Sequence, residues 1–169
     1  RLADVANNAG SSDLINSTQG VLYIESALLN VLQNGMRISI SDGSSAENRI
    51  TFRYLNNNQI QIELGLTNGF SEILNLDNSE NFNKIAVVYN STNASVFING
   101  FNLVTDTMGA LSGLSQLQFN RFNANTENFY GNTKCVAVFK EALSDLELEC
   151  LVSWMSFSDL GINFGYTVE

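Results

Sequence analysis

NRITFRYLNNNQIQIELG, Asn48 to Gly65, decides the fold class of this chain. Ile50, Phe52 and Tyr54 alternate with Thr51 and Arg53, and Ile60, Ile62 and Leu64 alternate with Gln61 and Glu63. A period of two marks strands with one face in a core and the other toward water. Between the two runs stands Asn56-Asn57-Asn58, and Asn accepts the left-handed backbone that tight turns demand. The stretch predicts two half-buried strands joined by a turn.

The same grammar continues on either side. KIAVVY, Lys84 to Tyr89, is apolar on both faces and is expected to be a central strand. Val96, Phe97 and Ile98 in NASVFING also look covered on both faces. Further strands are expected in GVLYIESALL, MRISISD, GFSEILN, SQLQFNRF and FYGNTKCVAVFK. Turn formers separate them: Asp42-Gly43, Asn68-Gly69, Asn90 to Asn93, Asn99-Gly100 and Ser112-Gly113. Their spacing of about 8 to 14 residues fits a sandwich of two antiparallel sheets. Lys and Arg are too few to guard every strand edge, so covering loops or a partner chain are expected to help. The closing stretch SFSDLGINFGYTVE still alternates Ile162, Phe164, Tyr166 and Val168, enough to add one more strand.

At 169 residues the chain is expected to be a single domain spanning residues 1–169, long enough for a full core. Hydrophobic residues make up 44 % and charged residues 15 %, so its surface is largely neutral and polar. A net charge of −9 argues against nucleic acid and against an anionic membrane as partners. The absence of His removes imidazole-based triads and imidazole metal sites. Proline is absent too, which has no physical account. No apolar run approaches the ~20 residues of a membrane span. The first residue is Arg1, with neither an initiator Met nor a signal-peptide pattern, and the chain is expected to be cut from a longer protein. Cys135 and Cys150 allow one disulfide, but two free thiols are the favoured state.

Two stretches carry a family resemblance. FNKIAVVYNSTNASVFING (Phe82 to Gly100) is similar to the strand, turn, strand and Asn-Gly hairpin of the laminin-G-like, concanavalin A-like lectin/glucanase superfamily. FYGNTKCVAVFKEALSDLELECL (Phe129 to Leu151) is similar to its last strand and closing helix, and SISDGSSAENRITFRY (Ser39 to Tyr54) fits its earlier strands. The resemblance implies a jelly-roll sandwich. GVLYIESALL, ISISDGS, the strand beginning Asn48-Arg49 and the ending GYTVE further resemble C-terminal domains of bacteriophage structural proteins. That narrower likeness implies an accessory module of a virion or cell-surface protein that binds carbohydrate. The superfamily holds lectins, enzymes and adhesive spacers, so fold alone does not decide among them.

The superfamily's glucanases carry alternating carboxylates on a cleft-facing strand, at the separation retaining cleavage requires. Asp145, Glu147 and Glu149 mimic that spacing. Yet Ser144 and Glu147 form S-x-x-E, the capping box of a helix N-terminus. The run therefore predicts a short closing helix, and hydrolysis is not expected. Many superfamily members bind calcium through rim loops. Asp77 to Asn81 lacks the glycine and glutamate of a calcium loop and is expected to be an ordinary polar loop. Asp42 and Asp106 are the remaining calcium candidates if they meet at one rim, although Asp42-Gly43 is equally a turn signal.

Sugar recognition needs an aromatic platform and a fork of polar groups. Tyr54, Phe70, Tyr89, Tyr130 and Trp154 could supply the first; Arg49, Arg53, Arg121, Asn99 and Asn123 could supply the second. Each aromatic taken alone reads more simply as packing. Arg53 and Arg121 stand among apolar strand residues in a chain with eight basic groups, so each is a candidate to face a concave sheet. Guarding an edge or pairing an acid is the open alternative. The sequons at Asn16, Asn90 and Asn93 matter only in a eukaryotic host.

The expected protein is an all-β jelly-roll β-sandwich of two antiparallel sheets, with about 11 to 14 strands and one short C-terminal helix. Its expected function is non-catalytic, lectin-like binding of a polysaccharide or cell-surface glycan through Arg53, Tyr54, Asn99, Arg121 and Tyr130, on a virion or outside the cell, with weak contacts summed by multivalency. Homo-oligomerisation would come through the parent protein. The rival is a structural assembly module without a sugar site, and a glycoside hydrolase comes third.

Overall fold

The computed structural model describes residues 9–30, 35–44, 46–67, 69–121 and 126–153. Ten strands lie among them: β1 (Gly20–Leu28), β2 (Met36–Ser41), β3 (Arg49–Leu55), β4 (Gln59–Leu64), β5 (Phe70–Asn75), β6 (Asn83–Tyr89), β7 (Asn93–Ile98), β8 (Phe101–Thr107), β9 (Gln116–Gln118) and β10 (Gly131–Phe139). One helix, α1 (Asp145–Val152), follows. The strands form two antiparallel five-stranded sheets, ordered β5-β4-β3-β2-β9 and β10-β1-β6-β7-β8.

The alternation in Asn48 to Gly65 becomes the interior wall of the first sheet. Ile50 pairs with Leu64, Phe52 with Ile62 and Tyr54 with Ile60, and all six side chains enter the core. Asn57 and Asn58 turn the chain at φ 60° and 57° within the three-residue loop between Leu55 and Gln59, a left-handed backbone that Asn tolerates. From the other sheet Leu22, Ile24, Ile85, Val87, Val96 and Ile98 close the same core. Each such fully buried side chain contributes about 1.5–3 kcal/mol.

KIAVVY falls in β6, the middle strand of its sheet. Its second apolar face is covered by α1: Ala86 joins Val21, Tyr23 and Phe97 beneath Leu148 and Val152. Ser144 caps that helix as its spacing predicts. Glu147 N–H donates to Ser144 Oγ at 3.4 Å, and Ser144 N–H donates to a Glu147 carboxylate oxygen at 2.8 Å. Asp145, Glu147 and Glu149 are all exposed on this helix, so the run does not form a strand-borne catalytic trio.

Ten strands lie among the described residues, against about 11 to 14 expected of the whole chain. Two details depart from expectation. SQLQFNRF yields only the short β9, because the chain leaves the sheet at Phe119. β8 carries no clean alternation and is held at the sheet edge by backbone pairing to β7. The closing stretch from Ser156 and the aromatic Trp154 lie outside the described residues. Cys135 and Cys150 are free and exposed. No helix of the described residues is long and apolar enough to cross a membrane.

Candidate functional site

The residues left over by the core alternation define the outer face of the first sheet. Because Ile50, Phe52 and Tyr54 point inward, Arg49, Thr51 and Arg53 point outward. β2 adds Arg37, Ser39 and Ser41 to the same face, and β4 adds Gln59, Gln61 and Glu63. The register aligns Arg37 with Arg53 and Arg53 with Gln61 in one row, and Ser39 with Thr51 and Thr51 with Glu63 in the next. The chain has five arginines. Arg37, Arg49 and Arg53 lie on this face, and Arg121 stands just past Asn120, whose carbonyl accepts the Ser39 hydroxyl at 2.8 Å.

This outward face is not open to water throughout. Arg37 and Arg49 are 7 % and 5 % exposed, and Ser39, Ser41 and Thr51 are fully covered. Buried guanidiniums require counter-charge. Glu63 Oε2 supplies it to both, 3.4 Å from Arg37 Nη1 and 3.6 Å from Arg49 Nη2. Glu127, from the connection between β9 and β10, brings Oε2 to 2.6 Å from Arg37 Nε. Arg53 Nη1 donates to Gln61 Oε1 at 3.3 Å. Burial pulls the Arg37 guanidinium below its ordinary range; Glu127 opposes that, Arg53 adds to it, Glu63 opposes it and Arg121 adds to it. The Thr51 hydroxyl is buried in this floor without a hydrogen-bond partner.

The chemistry follows from charge. Arg37, Arg49, Arg53 and Arg121 gather on or beside one face of a protein whose net charge is −9, with Glu63, Glu127 and, toward Arg49, Glu47 as counter-charges. Planar guanidinium forks match a carboxylate in shape and charge.

The residues singled out by sequence divide sharply. Arg53 sits on this face and Arg121 at its exposed rim. Tyr54 is a correction: it follows Arg53 on the strand, so its ring points to the opposite side and is 0 % exposed in the core. It cannot serve as a sugar platform there. Asn99 lies in the β7–β8 turn of the other sheet with φ 49°, where its side chain accepts from Lys84 N–H and donates to Asn83. Tyr130 is 40 % exposed at the entry to β10, also in the other sheet.

Asp42 closes its own loop, accepting from Ser44 N–H at 2.8 Å and from Asn48 Nδ2 at 3.1 Å. Asp106 lies on β8, the edge strand beside β5, whereas Asp42 follows β2 on the β9 side of the sandwich. The strand order thus separates the two. Among the described residues no group of three or more Cys, Asp or Glu is placed to hold a metal ion.

Sequence reading missed Arg37, Thr51, Glu63 and Glu127 as a group. Arg49-x-Thr51-x-Arg53 did carry a signal, since residues two apart on a strand share a face. The cross-strand partners needed the register.

The family described as the concanavalin A-like lectin/glucanases superfamily matches residues 26–149. Among curated proteins none matches the chain. Among solved structures, the carbohydrate-binding module CBM40 of the Ruminococcus gnavus IT-sialidase, bound to α2,3-sialyllactose, superposes with a TM-score of 0.68 at 15 % identity, over 90 % of this chain and 96 % of that one. The leech intramolecular trans-sialidase gives 0.65 at 19 % identity, over 91 % of this chain and 27 % of that one. The binding domain of botulinum neurotoxin DC, in complex with rat synaptotagmin II, gives 0.60 at 13 % identity, over 80 % and 35 %. At these identities the likeness establishes the fold.

Proposed function

The chain belongs to the concanavalin A-like lectin/glucanases superfamily, and on that premise we propose that it is a non-catalytic carbohydrate-binding module for acidic glycans. One observation carries the reading: Arg37, Arg49, Arg53 and Arg121 lie on or beside one sheet face of a strongly acidic chain. A surplus of guanidinium suits a sugar carboxylate, as in sialic or uronic acids. The sialyllactose bound to a CBM40 of the same fold supports this reading. Arg53 and Arg121 contact the acid, while Gln61 serves neighbouring sugar groups. No cleavage is proposed, because Glu63 and Glu127 are engaged by arginines. The setting is that of an accessory domain of a cell-surface or virion protein, working outside the cell by multivalent contact.

An assembly module is the second reading, favoured by one feature. Six of the seven β8 residues are exposed, and Phe101 and Leu103 are 68 % and 45 % exposed on that strand. An edge strand with apolar side chains is a template for pairing with another chain.

A glycan array with sialylated, uronic and neutral sugars, read with calcium and with chelator, tests both readings. Carboxylate-bearing glycans should bind in either condition and weaken as salt rises. Retention of neutral glycans alone, or of none at high protein density, overturns the acidic-glycan reading. Binding only with calcium would return Asp42 and Asp106 to the site.

A further inference from the structure

Glu127 has a backbone that its residue type disfavours. It stands at φ 54°, left-handed, where residues other than glycine and asparagine are uncommon. That conformation gives it two holds on Arg37: its carbonyl accepts Arg37 N–H at 3.1 Å, and its carboxylate lies 2.6 Å from Arg37 Nε. The second is a charge contact without an aligned hydrogen bond. Glu63 grips the same guanidinium at Nη1. Arg37 is thereby claimed from two sides before any ligand arrives. The Glu127 side chain is the more accessible of the two acids, 32 % exposed against 19 % for Glu63.

We propose that Glu127 is a specificity-determining residue, a resident carboxylate that withholds Arg37 from the ligand. This rests on the acidic-glycan reading of the same face. With Glu127 in place the site offers one anion position, at Arg53 and Arg121, and accepts sugars carrying a single carboxylate. It disfavours polyanionic glycans, whose further acid groups would meet the Glu127 and Glu63 charges. Without the Glu127 carboxylate the local positive charge grows by one, and Arg37, still covered and gripped by Glu63, adds to the field at the face rather than to its contacts.

The test compares the full chain with Glu127→Gln and Glu127→Asp by calorimetric titration, against sialyllactose and against a heparin-derived sulfated oligosaccharide. Thermal melting of each variant is recorded first. Glu127→Gln should bind the sulfated probe about fivefold more tightly than the unmodified chain, with a smaller gain for sialyllactose. Glu127→Asp keeps the charge but draws it back from Arg37, and should gain less in the same direction. If Glu127→Gln does not fold, the Asp variant decides by the sign of its change. Unchanged or weakened sulfate binding in the folded variants overturns the inference while leaving the acidic-glycan reading intact. Failure of the unmodified chain and both variants to bind either probe sinks the reading itself.

Discussion

The Tyr54 hydroxyl donates to the Ser26 carbonyl at 3.1 Å and lies 3.1 Å from the Ser26 hydroxyl, joining β3 of one sheet to β1 of the other across the core. Both residues are fully buried, so this is a polar tie inside an apolar interior. Removing the phenol oxygen would take a donor from the Ser26 carbonyl and an acceptor from the Ser26 hydroxyl. Tyr54→Phe should therefore lower stability by about 1–3 kcal/mol, read as a shift in urea midpoint at constant slope. Glycan binding should not change, because the ring faces away from Arg53. A loss of binding at full stability would return Tyr54 to the site.

Alkali should act through the same residue. Burial pushes the Tyr54 and Tyr89 hydroxyls up to about 12; Tyr89 also donates to the Asn16 carbonyl at 2.6 Å. In the unfolded chain both ionise near the ordinary value of about 10. Their contribution is thus complete below pH ~10 and lost as pH rises toward ~12. Melting temperature should fall across that window. Tyr54→Phe should flatten the fall, and an identical alkaline slope in the variant would exclude the phenol as its source.

At the helix cap, Ser144→Ala should cost about 1 kcal/mol. The Ser144 hydroxyl and N–H hold the Glu147 carboxyl below its ordinary range. A depressed acid stabilises the fold above its unfolded value and loses that contribution as pH falls through the folded one. The stability gap between wild type and Glu147→Gln should therefore be constant above pH ~5 and shrink in acid. A gap that widened on acidification would contradict the capping box.

Glu63 balances two buried guanidiniums at once. Glu63→Leu should destabilise by about 2 kcal/mol, below the ~3–5 of a fully orphaned buried pair because Glu127 still serves Arg37. Pairing Glu63→Leu with Arg49→Leu should recover part of the loss, a coupling that a double-mutant cycle measures. Strict additivity would show that the ion pair does not bind the two strands.

Arg53→Ala should weaken binding of a sialylated probe by about tenfold or more, with little change in melting temperature, since its guanidinium donates to the neutral Gln61 side chain. Arg53→Lys should recover only part, lacking the planar fork. Full binding by Arg53→Ala would move the site elsewhere on the sandwich.

The alternation in Asn48 to Gly65, the turn asparagines and the Ser144–Glu147 pair were all readable because each is local. A strand's inward side follows from side-chain parity, a tight turn from tolerance of positive φ, and a cap from spacing of three. Arg53 was readable for the same reason, as an outward residue between inward ones. Tyr54 was misjudged although the same parity places it beside Phe52 in the core, since an aromatic next to an arginine looks like a sugar site in one dimension. β8 escaped because an edge strand with both sides near water has no pattern to show.

By itself the sequence determined a β-sandwich, its central strand β6, its closing helix and the exclusion of imidazole chemistry. Only the tertiary structure decided which charges meet. Arg37, Arg53 and Gln61 share a row, and Glu63 bridges Arg37 and Arg49, through the register between the consecutive strands β2, β3 and β4. Parity is a property of neighbouring residues, whereas register is set by how the whole core fills. A slip of one residue in β3 would turn both Arg49 and Arg53 inward.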